Sequence, residues 1–428
     1  MNAAKGGTTN MAISIEELAS DSSFTQAKKG KFTLLPDPPR AKRHLPIISV
    51  DDHIVEPPWL FANHIAPRFA DRAPQVTELE DGSETWVVEG QHLPNVGFNA
   101  VAGRPVDEYS FDPTRFDQMR QGAWDISARL ADMSLDGVYA SLCFPSFLPG
   151  FCGHRLQQIT DDAEFALALV RAWNDWHMEE WAAADPNRII PMQLPYLLNP
   201  EVAAQEIRHN AEQGFKAVTF SEAPHMLGLP SLHTGYWDSF MAACEETETV
   251  ICVHIGSSGT SPSTAPDAPA DTVGVLFFGY AMFAACDWLY SKIPVRFPNL
   301  KICLSEGGIG WVAGLLDRLE HVRRYDSMYG TWNDIDISPA ETFRRNFWVC
   351  AIDDPSAFAQ RHVIGVENIL VESDYPHADS TWPNTQEMLH TQLAGIPQDE
   401  VADMCWRNAS KLFRHPVPES VIANPESF

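Results

Sequence analysis

Eight short runs of apolar, largely β-branched residues recur along the chain, and helix-like stretches separate most of them. They are HLPIISVDD (44–52), GVYASLCFP (137–145), RIIPMQLPYL (188–197), AVTFSEAP (217–224), TVICVHIG (249–256), LKICLSEGG (300–308), FWVCAIDD (347–354) and NILVESDYP (368–376). A run that is apolar throughout has no side to turn to water, so both faces must be covered. Between the runs lie segments such as DAEFALALVRAWNDWHMEEWAA and GWVAGLLDRLEHVRRY, whose apolar residues recur at helical spacing. This alternation predicts an α/β fold, a (β/α)8 TIM-type barrel over residues 45–415. An open doubly wound sheet is the alternative, but no GxGxxG turn follows the first run.

Two regions break the rhythm. Residues 1–44 are polar and end in LPDPPRAKRHLP, which predicts an extended N-terminal arm; residues 416–428 form a similar C-terminal tail. Residues 74–100 alternate polar and apolar around Asp81-Gly82, the pattern of a small β-hairpin. It heads an insertion, about 74–136, after the first barrel strand.

Charge and cysteine usage narrow the function classes. Lys and Arg total 30 against 57 Asp and Glu, a net charge of −27, which opposes nucleic acid and anionic membranes as partners. No apolar stretch is long enough to cross a membrane, and the start lacks the pattern of a secretory signal. The 8 cysteines form no CxxC pair. Cys143, Cys252, Cys303 and Cys350 sit within apolar runs, as reduced buried thiols of a cytoplasmic protein would. The arm, with Trp173, Trp176 and Trp181 read as surface residues, predicts a subunit interface in a homo- or hetero-oligomer.

The chemistry sits where the runs end. The first finishes on Asp51 and His53, two apart and so directed to one side of a strand. The fifth finishes on His254, the sixth on Glu306 and the eighth on Asp374, with His377 three residues beyond. A closed barrel gathers strand ends around one mouth, and a mixed set of imidazoles and carboxylates suits a divalent zinc, iron or manganese ion. Acids and histidines tolerate a dry cavity when a cation offsets their charge. Arg104, His154, Arg155, Glu222 and His225 fall in segments that can overhang the mouth, Arg104 and His225 being the candidate substrate contacts. Trp59, Phe147, Phe151 and Trp382 are candidate apolar walls, and GSSGTSPSTAPDAPADT after His254 reads as a mobile loop over the mouth.

The ordered set DDH, VHIG, LKICLSEGGIGW and ESDYPHADSTWP resembles the amidohydrolase-related family, the branch of the amidohydrolase superfamily that contains aminocarboxymuconate-semialdehyde decarboxylase. The resemblance implies a metal-dependent (β/α)8 barrel, with Asp51, His53, His254 and Asp374 as ligands. It departs at the sixth strand: the decarboxylases carry a histidine there, and this chain has Ser305-Glu306-Gly307-Gly308. A carboxylate cannot reproduce histidine proton transfer near neutral pH unless its pKa is raised.

These features predict an enzyme with a divalent ion, acting by hydrolysis or decarboxylation on a small, carboxylate-bearing substrate, with Glu306 or His377 moving the proton. Six donors (Asp51, His53, His254, Glu306, Asp374, His377) also permit two iron or manganese ions. Some proteins resembling this Glu-bearing branch are non-haem monooxygenases, so hydroxylation is the first alternative. A non-catalytic barrel subunit of a hetero-oligomer is the second.

Overall fold

The computed structural model describes residues 12–14, 32–94, 96–110, 113–146, 148–265, 267–269 and 271–428. The eight predicted runs all become parallel strands: β1 Ile48–Ile54, β2 Ala140–Pro145, β3 over 189–193, β4 Ala217–Ser221, β5 Val250–His254, β6 Ile302–Ser305, β7 Phe347–Ala351 and β8 Ile369–Val371. β3 is split at Pro191, which has no N–H to give to a ladder. Its first half, Ile189–Ile190, pairs with β2 and its second half, Met192–Gln193, pairs with β4. The sheet order β3-β2-β1-β8-β7-β6-β5-β4-β3 therefore returns to its starting strand, and the barrel is closed.

Side chains alternate between two apolar cores. Val250 and Cys252 of β5, Cys303 of β6, Cys350 of β7 and Leu370 of β8 fill the barrel interior. Ile251, Val253, Ile302, Leu304 and Val371 face the surrounding helices. At the end of the barrel remote from the strand termini, Leu412, Phe413, Val417 and Val421 plug the interior. The helices start where the sequence offers caps. Asp162 accepts from the amides of Glu164 and Phe165 ahead of Ala163–Trp176, and Asn199 does the same ahead of Pro200–Gln213. Ser338 and Glu341 form a capping box on Pro339–Asn346.

Two expectations change. The insertion is a three-stranded antiparallel sheet, Gln75–Glu78, Glu84–Val88 and Gln91–Pro94, one strand more than a hairpin. Trp173, Trp176 and Trp181 are core residues rather than surface ones: their helix is covered on most sides, so its tryptophans are not available to another subunit. Of the predicted arm, residues 1–11 and 15–31 lie outside the described residues. Ala12–Ser14 pairs antiparallel with Thr260–Pro262. Residues 32–44 run without regular structure, tied by Leu35 N to the Gly103 carbonyl at 2.8 Å and Ala41 N to the Leu135 carbonyl at 2.7 Å. No helix among the described residues is long and apolar enough to cross a membrane. All eight cysteines are free, and the four expected inside are buried.

Candidate metal centre

Strand parity brings the predicted donors inward, with help at three places. In β1, Ile48 and Val50 face the interior, so plain alternation would send Asp52 there next. A register irregularity between Ser49 and Asp52 in the pairing with β2 shifts the phase by one residue. Asp51 and His53 thereby face the mouth and Asp52 faces outward. Glu306 and Asp374 follow β6 and β8 in the left-handed backbone region, at φ 56° and 50°, a conformation that costs a non-glycine residue free energy and gathers at functional sites.

The converged atoms lie close together. His53 Nε2 is 3.5 Å from Asp51 Oδ1, 3.4 Å from Asp374 Oδ1 and 3.1 Å from His254 Nε2. His254 Nε2 lies 3.5 Å from Asp51 Oδ2 and 3.1 Å from Glu306 Oε2. His377 stacks on His53 with ring centroids 3.7 Å apart and places Nδ1 3.1 Å from Asp374 Oδ1. Backbone bonds lock the first and last strands together here: Asp374 N donates to the Asp51 carbonyl at 2.9 Å, and His53 N to the Tyr375 carbonyl at 2.7 Å.

Both carboxylate oxygens of Asp51 and both of Asp374 are buried without a hydrogen-bond donor among the described residues. Buried carboxylates are ordinarily satisfied. His254 Nδ1 lies against the Ile255 carbonyl; an N–H there leaves the Nε2 lone pair free to ligate. Burial, with the Glu372, Glu306 and Asp374 carboxylates, pushes the Asp51 carboxyl well above its ordinary range. Burial chiefly, then neighbouring acids, does the same to Glu306, Glu372 and Asp374. Burial pushes His254 and His377 down to about 3, and burial with the two other imidazoles holds His53 well below its usual value. Neutral imidazoles with free lone pairs, beside acids that lack a counter-charge, make a donor set that fits a divalent cation.

Sequence reading missed several contributors. Glu372 has the inward parity of Leu370 and Asp374; it is buried, with Oε1 unpartnered and Oε2 accepting from Glu306 N at 3.2 Å. Asp52 accepts from Ser49 Oγ (3.0 Å), Ser373 Oγ (2.6 Å), Tyr375 N (3.1 Å) and Ser141 Oγ, bolting β1, β2 and the turn after β8 together. A cavity of 310 Å³ opens onto the centre at Glu306 and His377.

Other predicted contacts fall elsewhere. Arg104 and His225 do not line this cavity. The Arg104 guanidinium donates to the Gln118 carbonyl at 2.8 and 3.3 Å, and His225 is exposed in the turn Pro224–Leu227. Glu222 is buried, accepting from Ser258 Oγ at 2.6 Å and from Ser257 Oγ. His154 lies 3.4 Å from Cys152 Sγ, and Arg155 belongs to the helix His154–Gln158. Phe151 does line the cavity. Trp382 is buried against Tyr375, and the Trp59 indole donates to Glu180. Phe147 lies outside the described residues. The segment after His254 supplies Ser261 and Val273 to the cavity wall.

A family model described as Amidohydrolase matches residues 63–415. Over 274 residues the chain is 23% identical to the 2-amino-3-carboxymuconate-6-semialdehyde decarboxylase of Dictyostelium discoideum, covering 61% of this chain and 69% of that one. An amidohydrolase from Mycobacterium avium subsp. paratuberculosis K-10 shares the fold with a TM-score of 0.65 at 22% identity, over 87% of this chain and all of that one. The 5-carboxyvanillate decarboxylase of Novosphingobium aromaticivorans DSM 12444, solved with manganese and 4-hydroxy-3-methoxy-5-nitrobenzoic acid, gives 0.60 at 18% identity over 90% of this chain and 100% of that one. With its barrel closed and the family match running over most of its length, the chain belongs to the amidohydrolase family.

Proposed function

We propose that the chain is a metal-dependent enzyme that hydrolyses or decarboxylates a small organic substrate in the barrel mouth. One observation carries the reading: the four oxygens of Asp51 and Asp374 are buried and unpartnered, and three of them lie within 3.5 Å of His53 Nε2 or His254 Nε2. Asp51, His53, His254 and Asp374 would hold the ion, with Glu306 and His377 beside it. The two possible ligand groups, Asp51–His53–His254 and His53–Asp374–His377, share His53. Its Nε2 offers one lone pair, so we count one centre. The manganese in the Novosphingobium relative supports a divalent ion, and the decarboxylase relatives support this reaction class. The comparisons lend nothing to oxygen activation.

When bound, the ion supplies positive charge that polarises a carbonyl or carboxylate and lowers the pKa of water. The chain's own residues do the rest. Glu306 reaches both His254 and the cavity, and its raised pKa suits it to hold and pass on a proton at Oε2. His377 Nε2 is buried without a partner and its residue lines the cavity, where it can accept or orient a substrate hydrogen. Phe151, 4.4 Å from the His254 ring and 4.9 Å from His53, screens the centre from water.

The test is elemental analysis of the purified chain, followed by turnover assays in the absence of oxygen. The reading expects about one divalent ion per chain and reaction without oxygen. A chain that binds no ion, or that turns over only with oxygen, would overturn it.

A further inference from the structure

β4 supplies no ligand to the ion site, yet the residue that follows it ties two parts of the mouth together. Glu222 comes directly after Ser221, is buried, and grips the turn after β5 with both backbone and side chain. Glu222 N donates to Ser257 Oγ at 3.0 Å, Ser257 Oγ contacts Glu222 Oε2, and Ser258 Oγ donates to Glu222 Oε1 at 2.6 Å. A carboxylate suits this place because each of its two oxygens can accept from a separate hydroxyl. Ser257 and Ser258 are themselves buried, so without Glu222 both would lose a partner where water does not readily replace it.

One arm of this network runs to the ion site. Ser257 Oγ lies 2.6 Å from the His254 carbonyl, and Ser257 N donates to the same carbonyl at 3.3 Å. The next carbonyl, that of Ile255, is the one against which His254 Nδ1 rests. That contact selects the tautomer whose Nε2 lone pair is free to ligate, and it lasts only while the Ile255 peptide stays in place. Ile255 and Gly256 alone separate His254 from Ser257, so a shift of Ser257 passes directly to that peptide. The other arm runs to the cavity wall. Ser258 Oγ lies 2.9 Å from Thr260 Oγ1, which lies 3.0 Å from Tyr280 Oη. With a carboxylate as the terminal acceptor, these hydroxyls can all point one way, from Tyr280 through Thr260 and Ser258 to Glu222. Thr260 precedes Ser261, a cavity residue, and Tyr280 follows three positions after Phe277. Phe277 forms the aromatic sides of the cavity with Phe98, Tyr109 and Phe151, and Asp379 joins them from an exposed position.

We propose that Glu222 is a positioning residue with two outputs. Through Ser257 it fixes the tautomer and aim of His254, and through Ser258 and Thr260 it fixes the Ser261 and Phe277 side of the cavity. A ligand resting on that wall and an ion held by His254 are thereby kept in one relation by a single carboxylate that touches neither. The first output rests on the metal-dependent reading; the second stands on the contacts alone.

Three measurements on the full chain test this: manganese affinity by titration calorimetry, the electron paramagnetic resonance spectrum of the bound manganese, and amide hydrogen exchange over residues 255–262 and 277–290. Glu222→Ala is expected to weaken manganese about tenfold, to alter its resonance and to speed exchange in both segments. Glu222→Gln offers one acceptor oxygen where two are needed and should fall between. Ser257→Ala should reproduce the loss of affinity, and Ser258→Ala the faster exchange over 277–290 with little change in affinity. Thermal unfolding without metal shows that each variant is folded, and the two serine variants carry the test should Glu222→Ala not fold. Unchanged affinity and resonance in Glu222→Ala and Ser257→Ala overturn the first output. Unchanged exchange over 277–290 in Glu222→Ala and Ser258→Ala overturns the second. A parent chain that takes up no manganese sinks the metal reading and the first output with it, and the exchange result still decides the second.

Discussion

Asp374 combines three costs at one position: a left-handed backbone, complete burial and two unpartnered oxygens. Their coincidence is best explained by a ligand that offsets them, so Asp374→Ala should lower metal affinity by roughly a hundredfold or more while far-ultraviolet circular dichroism stays unchanged. Retention of a full equivalent of metal by that variant would contradict its role. Glu56 makes a different prediction. It accepts from Trp173 Nε1 and Ser146 N, each at 3.2 Å, yet burial raises its carboxyl to about 7. A raised carboxyl pKa means that the fold favours the protonated form. The resulting stabilisation is complete below the ordinary value, near 4.5, and is lost as pH rises through about 7. The swing is on the order of 3 kcal/mol. Glu56→Gln should therefore lose less stability than the parent between pH 5.5 and 8, measured by urea unfolding. At this scale the sequence was most readable where an ionisable group ended an apolar run, as at Asp51, His53, His254 and Asp374. Glu372 escaped notice because it sits inside such a run. Asp379 was overlooked beyond the motif, and the cavity's aromatic walls depend on long-range folding that local pattern does not encode.

The strands were legible because a barrel strand is buried on both faces, which leaves a continuous apolar run at each of the eight sites. What the pattern could not show was phase. The irregularity in β1 turns Asp51 inward instead of Asp52, and the positive φ of Glu306 carries it toward the site against the alternation set by Cys303 and Ser305. The third strand of the insertion, QHLP, is too short to display a period. The tryptophan helix misled because heavy burial on most sides resembles an apolar surface when only one chain is read. The turn after β6 offers a test of how tightly its element is held. A Cβ on Gly307 would stand 2.3 Å from Ala281 Cβ, in the helix Gly279–Tyr290. Gly307→Ala should force that helix and the turn apart, costing about 1–3 kcal/mol and displacing Glu306. Thermal unfolding and metal-dependent turnover should both fall. Adding Ala281→Gly removes the opposing methyl and should restore them; failure to restore would place the damage elsewhere.

Across the whole molecule, barrel closure is what brings residues more than three hundred positions apart, Asp51 and Asp374, to one point. β1 and β8 are neighbours, and the broken β3 completes the ring that holds them there. Closure also concentrates acids, and the resulting proton balance can be measured. Without an ion, burial raises the carboxyl pKa values of Asp51, Glu306, Glu372 and Asp374, so the folded chain holds protons that the unfolded chain releases near pH 4. That contribution to stability is full below the unfolded values and disappears as pH rises through the folded ones. An ion would require its ligands Asp51 and Asp374 deprotonated, so its affinity rises over the same window. Ion loading should consequently release protons, seen as a calorimetric heat that depends on the buffer's ionisation enthalpy. It should also raise the unfolding midpoint more at pH 8 than at pH 6, with a gain of about 2.7 kcal/mol once free ion reaches a hundred times its dissociation constant. A buffer-independent heat, together with a midpoint shift that ignores pH, would show that these acids do not exchange their protons for a cation.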